Sequence, residues 1–129
     1  MKFVSLLITA VLSFSGAAFA QNSPVEKEVQ IGLNGAYVPG GFDSGSDVFV
    51  VVNGIFQNGC YKWKKAEVTH KNTHFHEIKS IAAVSPGACL MVLIPFQVEV
   101  RLGQFDEGKH TLRFDNGDGT YFDKTLFVE

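Results

Sequence analysis

Three histidines stand close together in the middle of the chain, at positions 70, 74 and 76. Side chains two residues apart share one face of a β-strand, so His74 and His76 are expected to point toward the same ligand. A chain reversal at Asn72 would place His70 opposite them. Neutral imidazole is a preferred ligand of Zn²⁺ and Cu²⁺. The spacing therefore predicts a metal site formed by His70, His74 and His76, with His110 as an additional candidate ligand.

Lysines and aromatic residues in the same segment support a different interpretation. Aromatic side chains beside lysines are typical of surfaces that contact a protein or a glycan. On this interpretation Tyr61, Trp63, Lys64 and Phe75 form a partner-binding surface. Charged side chains also protect an exposed edge strand from pairing with other chains, which is the purely structural alternative. The lysines concerned are Lys62, Lys64, Lys65, Lys71 and Lys79.

Other reactive residues show no catalytic pattern. The serines at positions 44, 46, 80 and 85 lack the neighbouring base and the strained turn that a nucleophilic serine needs. Asp115 and Asp118 lie in a Gly-rich segment, but their spacing is not that of a calcium-binding EF-hand loop, so a hairpin turn is predicted there. We therefore expect no catalytic residue, no enzymatic activity and no cofactor.

The elements that position these residues are predicted to be β-strands. Beyond residue 24, β-branched and aromatic residues alternate with polar ones, and Gly, Pro, Asn or Asp interrupt the pattern about every ten residues. Pro95 cannot donate to a sheet, which predicts an edge position, a bulge or a change of sheet. Residues 39–46 are predicted to form a loop, and residues 37–46 are a second candidate contact region. The seven predicted strands are residues 25–33, 47–56, 60–71, 73–84, 89–102, 109–115 and 120–128.

Cys60 and Cys89 are the two cysteines of the chain. Two cysteines allow one intramolecular pairing, and closing a loop of this size stabilises a fold by roughly 3 to 4 kcal/mol in the chain-entropy model. Redox-active pairs usually have the spacing Cys-x-x-Cys, which is absent here. We predict a structural disulfide.

The first 20 residues have the three parts of a secretory signal peptide. Lys2 precedes an apolar stretch over residues 3–14, and Ala18 and Ala20 supply the small side chains of a cleavage site before Gln21. We predict that residues 21–129 form one domain, secreted or periplasmic. A net charge of −2 argues against a nucleic-acid partner, and no later apolar segment is long enough to span a membrane.

Residues 102–112 resemble the turn that leads into a late strand of immunoglobulin-like and fibronectin type III-like domains. Leu102, Gly103 and Phe105 stand where those families have a leucine, a glycine and an aromatic residue. His110 occupies the position of a tyrosine that bonds to nearby backbone, and an imidazole nitrogen can make a similar bond. The resemblance implies an all-β fold: a single immunoglobulin-like antiparallel β-sandwich of about seven strands with one disulfide.

The position of the tryptophan separates the chain from antibody domains. Trp63 follows Cys60 by three residues, whereas the antibody pattern places it more than ten residues later. The chain thus resembles small secreted bacterial sandwich proteins. We expect an exported, non-catalytic binding module with a protein or glycan partner. The alternatives are a periplasmic or secreted protein that binds copper or zinc, and an inhibitor of an extracellular protease.

Overall fold

The computed structural model describes residues 25–129, so the predicted signal peptide lies outside the described residues. This range folds into eight β-strands. No helix in it is long and apolar enough to cross a membrane. The strands are β1 (Lys27–Ile31), β2 (Gly35–Tyr37), β3 (Val48–Phe56), β4 (Tyr61–Asn72), β5 (Phe75–Val84), β6 (Ile94–Gly103), β7 (Gly108–Asp115) and β8 (Tyr121–Val128).

Strand β5 is the centre of a five-stranded sheet. One of its edges pairs with β4 along nearly the whole strand. The other edge is shared end to end: β7 pairs with residues 75–79 and β1 with residues 80–84. Strand β8 continues the sheet beyond β7. The pairing of β5 with β7 is parallel, and this brings a distant part of the chain beside the β4–β5 hairpin.

The second sheet has three strands in the order β2-β3-β6, all antiparallel. Every second residue of β3 is buried, beginning with Val48, Val50 and Val52, because alternate side chains of a strand point to the same face. Pro95 lies in β6, which is an edge strand, so the predicted edge position is confirmed.

Apolar side chains from both sheets meet between them and exclude water from a single core. Phe114, Ile78 and Leu112 from the five-stranded sheet are fully buried against the valines of β3. Burying a large aliphatic or aromatic side chain contributes about 1.5 to 3 kcal/mol, so this layer is the main stabilising feature of the fold. The prediction of an all-β sandwich is confirmed.

The Cys60–Cys89 disulfide is also confirmed, with the two Cα atoms 5.2 Å apart. It joins the segment before β4 to the loop before β6. Three details differ from the predictions. Strand β2 is an additional short strand, the sheets include one parallel pair, and the strand predicted from residue 89 begins only at Ile94, which leaves residues 85–93 as a loop.

Candidate functional site

Three histidine rings form a hydrogen-bonded chain beneath the β4–β5 hairpin. His70 Nδ1 lies 2.6 Å from His76 Nδ1, and His76 Nε2 lies 2.9 Å from His110 Nδ1. His110 Nε2 donates to the carbonyl oxygen of Asp106 at 2.5 Å. We call His70, His76 and His110 the histidine chain. Its last link is the bond to nearby backbone that the immunoglobulin resemblance led us to expect of His110.

The Asp106 carbonyl sets the direction of every hydrogen bond in the histidine chain. A carbonyl only accepts, so the proton of neutral His110 is on Nε2 and its Nδ1 accepts. His76 must then donate from Nε2 and accept at Nδ1, and His70 must donate from Nδ1. With all three rings neutral, the Nε2 atom of His70 is left as a free acceptor.

The strand pairings explain how distant residues meet in this chain. His70 and His76 are direct partners across the β4–β5 hairpin. The parallel pairing of β5 with β7 places His110 beside His76 from a position 34 residues later. Local sequence therefore predicts the first contact, whereas the second depends on the topology of the whole sheet.

The loop of residues 104–107 covers the histidine chain. Gly103 and Gly108 flank it with φ angles of 90° and 124°, a region that favours glycine. Phe105 is buried, and its ring stacks on His76 with the ring centroids 4.0 Å apart. His74 Nε2 donates to the Glu107 carbonyl oxygen at 3.0 Å. Two imidazole donors thus hold the backbone of this loop.

Burial sets the protonation of the central ring. His76 is only 3% exposed. Its burial, together with the positive charges of protonated His70, His110 and His74, lowers the pKa of His76 from an ordinary 6.5 to about 4. His76 is therefore neutral near pH 7, which agrees with the hydrogen-bond directions of the chain.

Of the histidines predicted to bind metal, His70 and His76 face each other through their Nδ1 atoms, and His74 bonds the Glu107 carbonyl. Two nitrogens on one tetrahedral Zn²⁺ lie about 3.3 Å apart, given Zn–N distances of about 2.0 to 2.1 Å. The 2.6 Å between the Nδ1 atoms of His70 and His76 fits a shared proton better. Among residues 25–129 no group of three or more His, Cys, Asp or Glu side chains is placed to hold a metal ion. Metal binding by His70, His74 and His76 stays a prediction.

The lysines of the hairpin are paired with carboxylates. Lys62 lies 3.2 Å from Glu26, and Lys64 lies 2.5 Å from Glu28, both contributed by the segment that contains β1. The hydrogen bond from Lys62 lowers the pKa of Glu26. Glu67 and Glu77 pair with the remaining lysines. The sequence alone showed a basic segment, but its charge is largely neutralised by the neighbouring strand.

The four residues predicted to bind a partner do not share one surface. Tyr61 stacks on Phe56, and Trp63 packs toward Phe96 between the sheets. Lys64 is exposed and paired with Glu28. Phe75 lies beneath the Arg113 guanidinium, 5.0 Å from its ring centroid. In the other candidate region, residues 37–46, Phe42 is buried but Tyr37 is 66% exposed.

A different surface has the character of a contact site. Leu90, Met91, Val92 and Leu93 follow one another in the loop before β6, and their exposed fractions are 69%, 79%, 46% and 71%. We call these four residues the 90–93 loop. Soluble domains rarely expose a continuous apolar group without a binding role.

The 90–93 loop is fastened to the body of the domain at both ends. Cys89, directly before it, is bonded to Cys60. The backbone N–H of Gly59 donates to the Leu90 carbonyl oxygen at 2.8 Å. A Cβ atom at position 59 would lie 3.1 Å from the Cβ of Leu90, so glycine permits this close approach. Strand β6 begins directly after the loop and pairs with β3.

The sequence contains a break in alternation that marks this loop, but the strand prediction did not use it. Residues 89–102 were predicted to be one strand because they are rich in β-branched and apolar residues. Residues 96–102 alternate, but residues 90–93 are apolar without a break. An edge strand buries one face, so four consecutive apolar residues cannot all be buried in it. The break in alternation marks the start of the exposed loop.

A cleft lies beside the segment that anchors the loop. Its volume is about 280 Å³, and it combines apolar walls with the polar groups of Gln30, Gln57 and Tyr61. A second pocket, of about 190 Å³, adjoins the exposed end of the histidine chain at His70. Thr73, Gln104 and Asp106 contribute to its lining.

Comparison with known proteins agrees with the fold. A search of curated proteins and a search of solved structures each found no match. A family model described as the ORF11 β-sandwich domain matches residues 50–125. The match supports the β-sandwich, while the closer resemblance to immunoglobulin-like domains stays a prediction. Since the matched residues make up more than half of the 129, the chain belongs to the ORF11 β-sandwich domain family.

Proposed function

We propose that this protein is an exported, non-catalytic binding module whose 90–93 loop contacts a protein partner. One observation carries the proposal: four consecutive apolar side chains are exposed on a loop that a disulfide and a backbone hydrogen bond hold in place. Binding is favoured when a partner removes an exposed leucine or methionine side chain from water. A fastened loop also loses little conformational entropy on binding.

The small size of the loop indicates the shape of its partner. A standard protein interface takes roughly 20 to 30 residues from each side, and the 90–93 loop supplies four. A small protruding group reaches useful affinity when its side chains enter a pocket, because buried central residues contribute most of the binding free energy. We therefore expect a partner with an apolar pocket or groove, with Tyr37 and the cleft beside Gln57 as secondary contacts at most.

The test compares capture by the natural protein and by a variant with a charged loop. Tagged full-length protein is expressed in its own cells, and partners are recovered from the envelope and the medium. Replacing Met91 with Asp puts a charge where the partner would supply apolar surface, so capture of a specific, saturable partner should be lost. Because Met91 is 79% exposed, the replacement should leave folding intact.

Phe127→Asp is the matched control. Phe127 is also apolar and exposed, at 64%, but it lies on β8, away from the loop. The control should capture the same partner as the natural protein. Equal capture by all three proteins would show that the 90–93 loop is not the binding surface.

A further inference from the structure

The peptide groups of Met91 differ from those of its neighbours in their hydrogen bonding. The Val92 N–H donates to the Leu90 carbonyl oxygen at 3.0 Å, and the Gly59 N–H donates to the same oxygen. By contrast, the N–H and C=O groups of Cys89 and Met91 have no hydrogen-bond partner within the described range 25–129. The Leu90 C=O and the Val92 N–H thus help to keep the loop in shape, whereas neither peptide group of Met91 is used for this within the described residues.

The unbonded N–H and C=O groups of Met91 suit recognition by a partner that bonds to the backbone, as at the edge of a β-sheet. Peptide groups of every second residue bond to the partner, and side chains enter pockets between them. Serine proteases bind substrates in this way and place one side chain in a specificity pocket next to the catalytic serine. The residue in that pocket needs a free N–H, a free C=O and an exposed side chain, and Met91 has all three.

The attachment of the loop suits binding without rapid turnover. The disulfide ends one residue before Leu90, and β6 begins one residue after Leu93. A segment held at both ends enters an active site already ordered, which strengthens binding. Its restricted movement also opposes the separation of the two new chain ends that turnover of a substrate requires.

We propose that the 90–93 loop is a substrate-like inhibitory loop for a serine protease with an apolar specificity pocket, and that Met91 occupies that pocket. The proposal rests on the proposed function and names the class of its partner. Methionine and leucine fit a hydrophobic pocket of the kind chymotrypsin has, whereas trypsin has an aspartate in its pocket and requires a basic residue.

Two other occupants fit the loop less well. A lipid surface attracts basic residues, but residues 85–93 include no charged side chain, and Lys62 and Lys64 nearby are paired with Glu26 and Glu28. A second copy of the chain would offer the same protruding loop. Two protrusions of four residues give far less contact than a standard dimer interface.

The experiment measures inhibition of purified proteases by the full-length protein. Chymotrypsin and subtilisin represent apolar pockets, and trypsin is the comparison. We expect inhibition of at least one protease of the first kind and none of trypsin. Met91→Asp should weaken inhibition by at least about 30-fold, the loss typical of a central interface residue. Met91→Lys should gain inhibition of trypsin, and Phe127→Asp should behave like the natural protein.

The outcomes separate this inference from the proposed function. Rapid cleavage after Met91 without inhibition would overturn the inference, because the loop would then be an ordinary substrate. Loop-dependent capture of a partner that is not a protease would also overturn the inference, but it would support the proposed function. Loop-dependent binding to vesicles of phosphatidylethanolamine and phosphatidylglycerol, or loop-dependent dimerisation in sedimentation, would overturn both. Trypsin inhibition by Met91→Lys would support both.

Discussion

Each neutral ring of the histidine chain carries one N–H proton. The Asp106 carbonyl, at the inner end of the chain, determines which nitrogen of each ring carries it. Every hydrogen bond of the chain is made when the three rings are neutral. Protonation of His76 at Nδ1 would set its N–H against the Nδ1–H of His70 and break that link. Because Phe105 stacks on His76, such a break would also loosen the cover over the core.

The first residue-scale prediction concerns the pH dependence of stability. The pKa of His76 is about 4 in the folded protein, below its ordinary value of 6.5. The unfolded chain therefore binds more protons between these values, so the free energy of unfolding falls as pH decreases from 6.5 to 4. Above pH 6.5 this contribution is fully present. Urea denaturation across this range measures the slope.

His76→Gln tests whether this residue causes the slope. The variant is less stable at every pH because it loses ring stacking, but it lacks the titrating group. Its free energy of unfolding should fall less steeply between pH 6.5 and 4 than that of the natural protein. Equal slopes would mean that the acid sensitivity arises elsewhere.

A second residue-scale prediction concerns metal. If Zn²⁺ or Cu²⁺ binds His70, His74 and His76, a hydrogen bond of His76 must open, so that each ring offers an unprotonated nitrogen to the metal. Calorimetric titration at pH 7.5 should then show tight binding, which a double replacement of His74 and His76 by Ala removes. Affinity that is unchanged in the double variant would exclude the predicted site. His110→Ala shows whether the fourth histidine takes part.

At the scale of elements, the disulfide and the 90–93 loop act together. The bridge fixes Cys89 beside the start of β4, and the Gly59 N–H then reaches the Leu90 carbonyl. Without the bridge, Leu90 to Leu93 would lie in a loop that begins at Val84 and is restrained mainly at Ile94. The disulfide thus has a role in ordering the binding surface as well as in stability.

This gives a prediction for the variant in which Cys60 and Cys89 are both replaced by Ser. The free energy of unfolding should decrease by about 2 to 4 kcal/mol. Amide hydrogen exchange at Gly59 and Val92, whose N–H groups donate to the Leu90 carbonyl, should become faster by a larger factor than exchange in β5 under conditions that favour the folded state. Uniform acceleration across the domain would indicate that the bridge only stabilises the fold and does not order the loop.

The strands themselves were largely predictable, because alternation in Val48, Val50 and Val52 and the breakers between strands depend on local sequence. The contact of His70 with His76 followed from the turn at Asn72. The parallel pairing of β5 with β7 did not, since it joins residues more than 30 positions apart. The pairing of Lys62 with Glu26 was missed for the same reason, and so was the partial neutralisation of the hairpin's charge.

At the scale of the whole molecule, the domain separates stability from binding. The core between the sheets lies inside together with His76 and His110, while the 90–93 loop is exposed beside the disulfide. A surface loop on a rigid sandwich can change its partner without loss of the fold, which is why binding residues concentrate in loops. Membership of the ORF11 β-sandwich domain family agrees with this scaffold, and the 90–93 loop is the surface that we propose for the partner.

Export is a prediction about the whole chain. If residues 1–20 are a signal peptide, protein recovered from the periplasm or the medium should begin at Gln21. Mass spectrometry without reduction should also show it two hydrogens lighter than the reduced chain because of the Cys60–Cys89 bridge. Recovery of the uncleaved chain from the cytoplasm alone would contradict export.

The most direct measurement of the binding surface is site-specific crosslinking in the protein's own cells. A photoreactive p-benzoylphenylalanine is placed at position 91 and, in a matched control, at position 127, since both positions are apolar and exposed. We predict one dominant protein adduct from position 91 and none of the same mass from position 127. The same adducts from both positions, or no protein adduct from position 91, would contradict a binding role for the 90–93 loop.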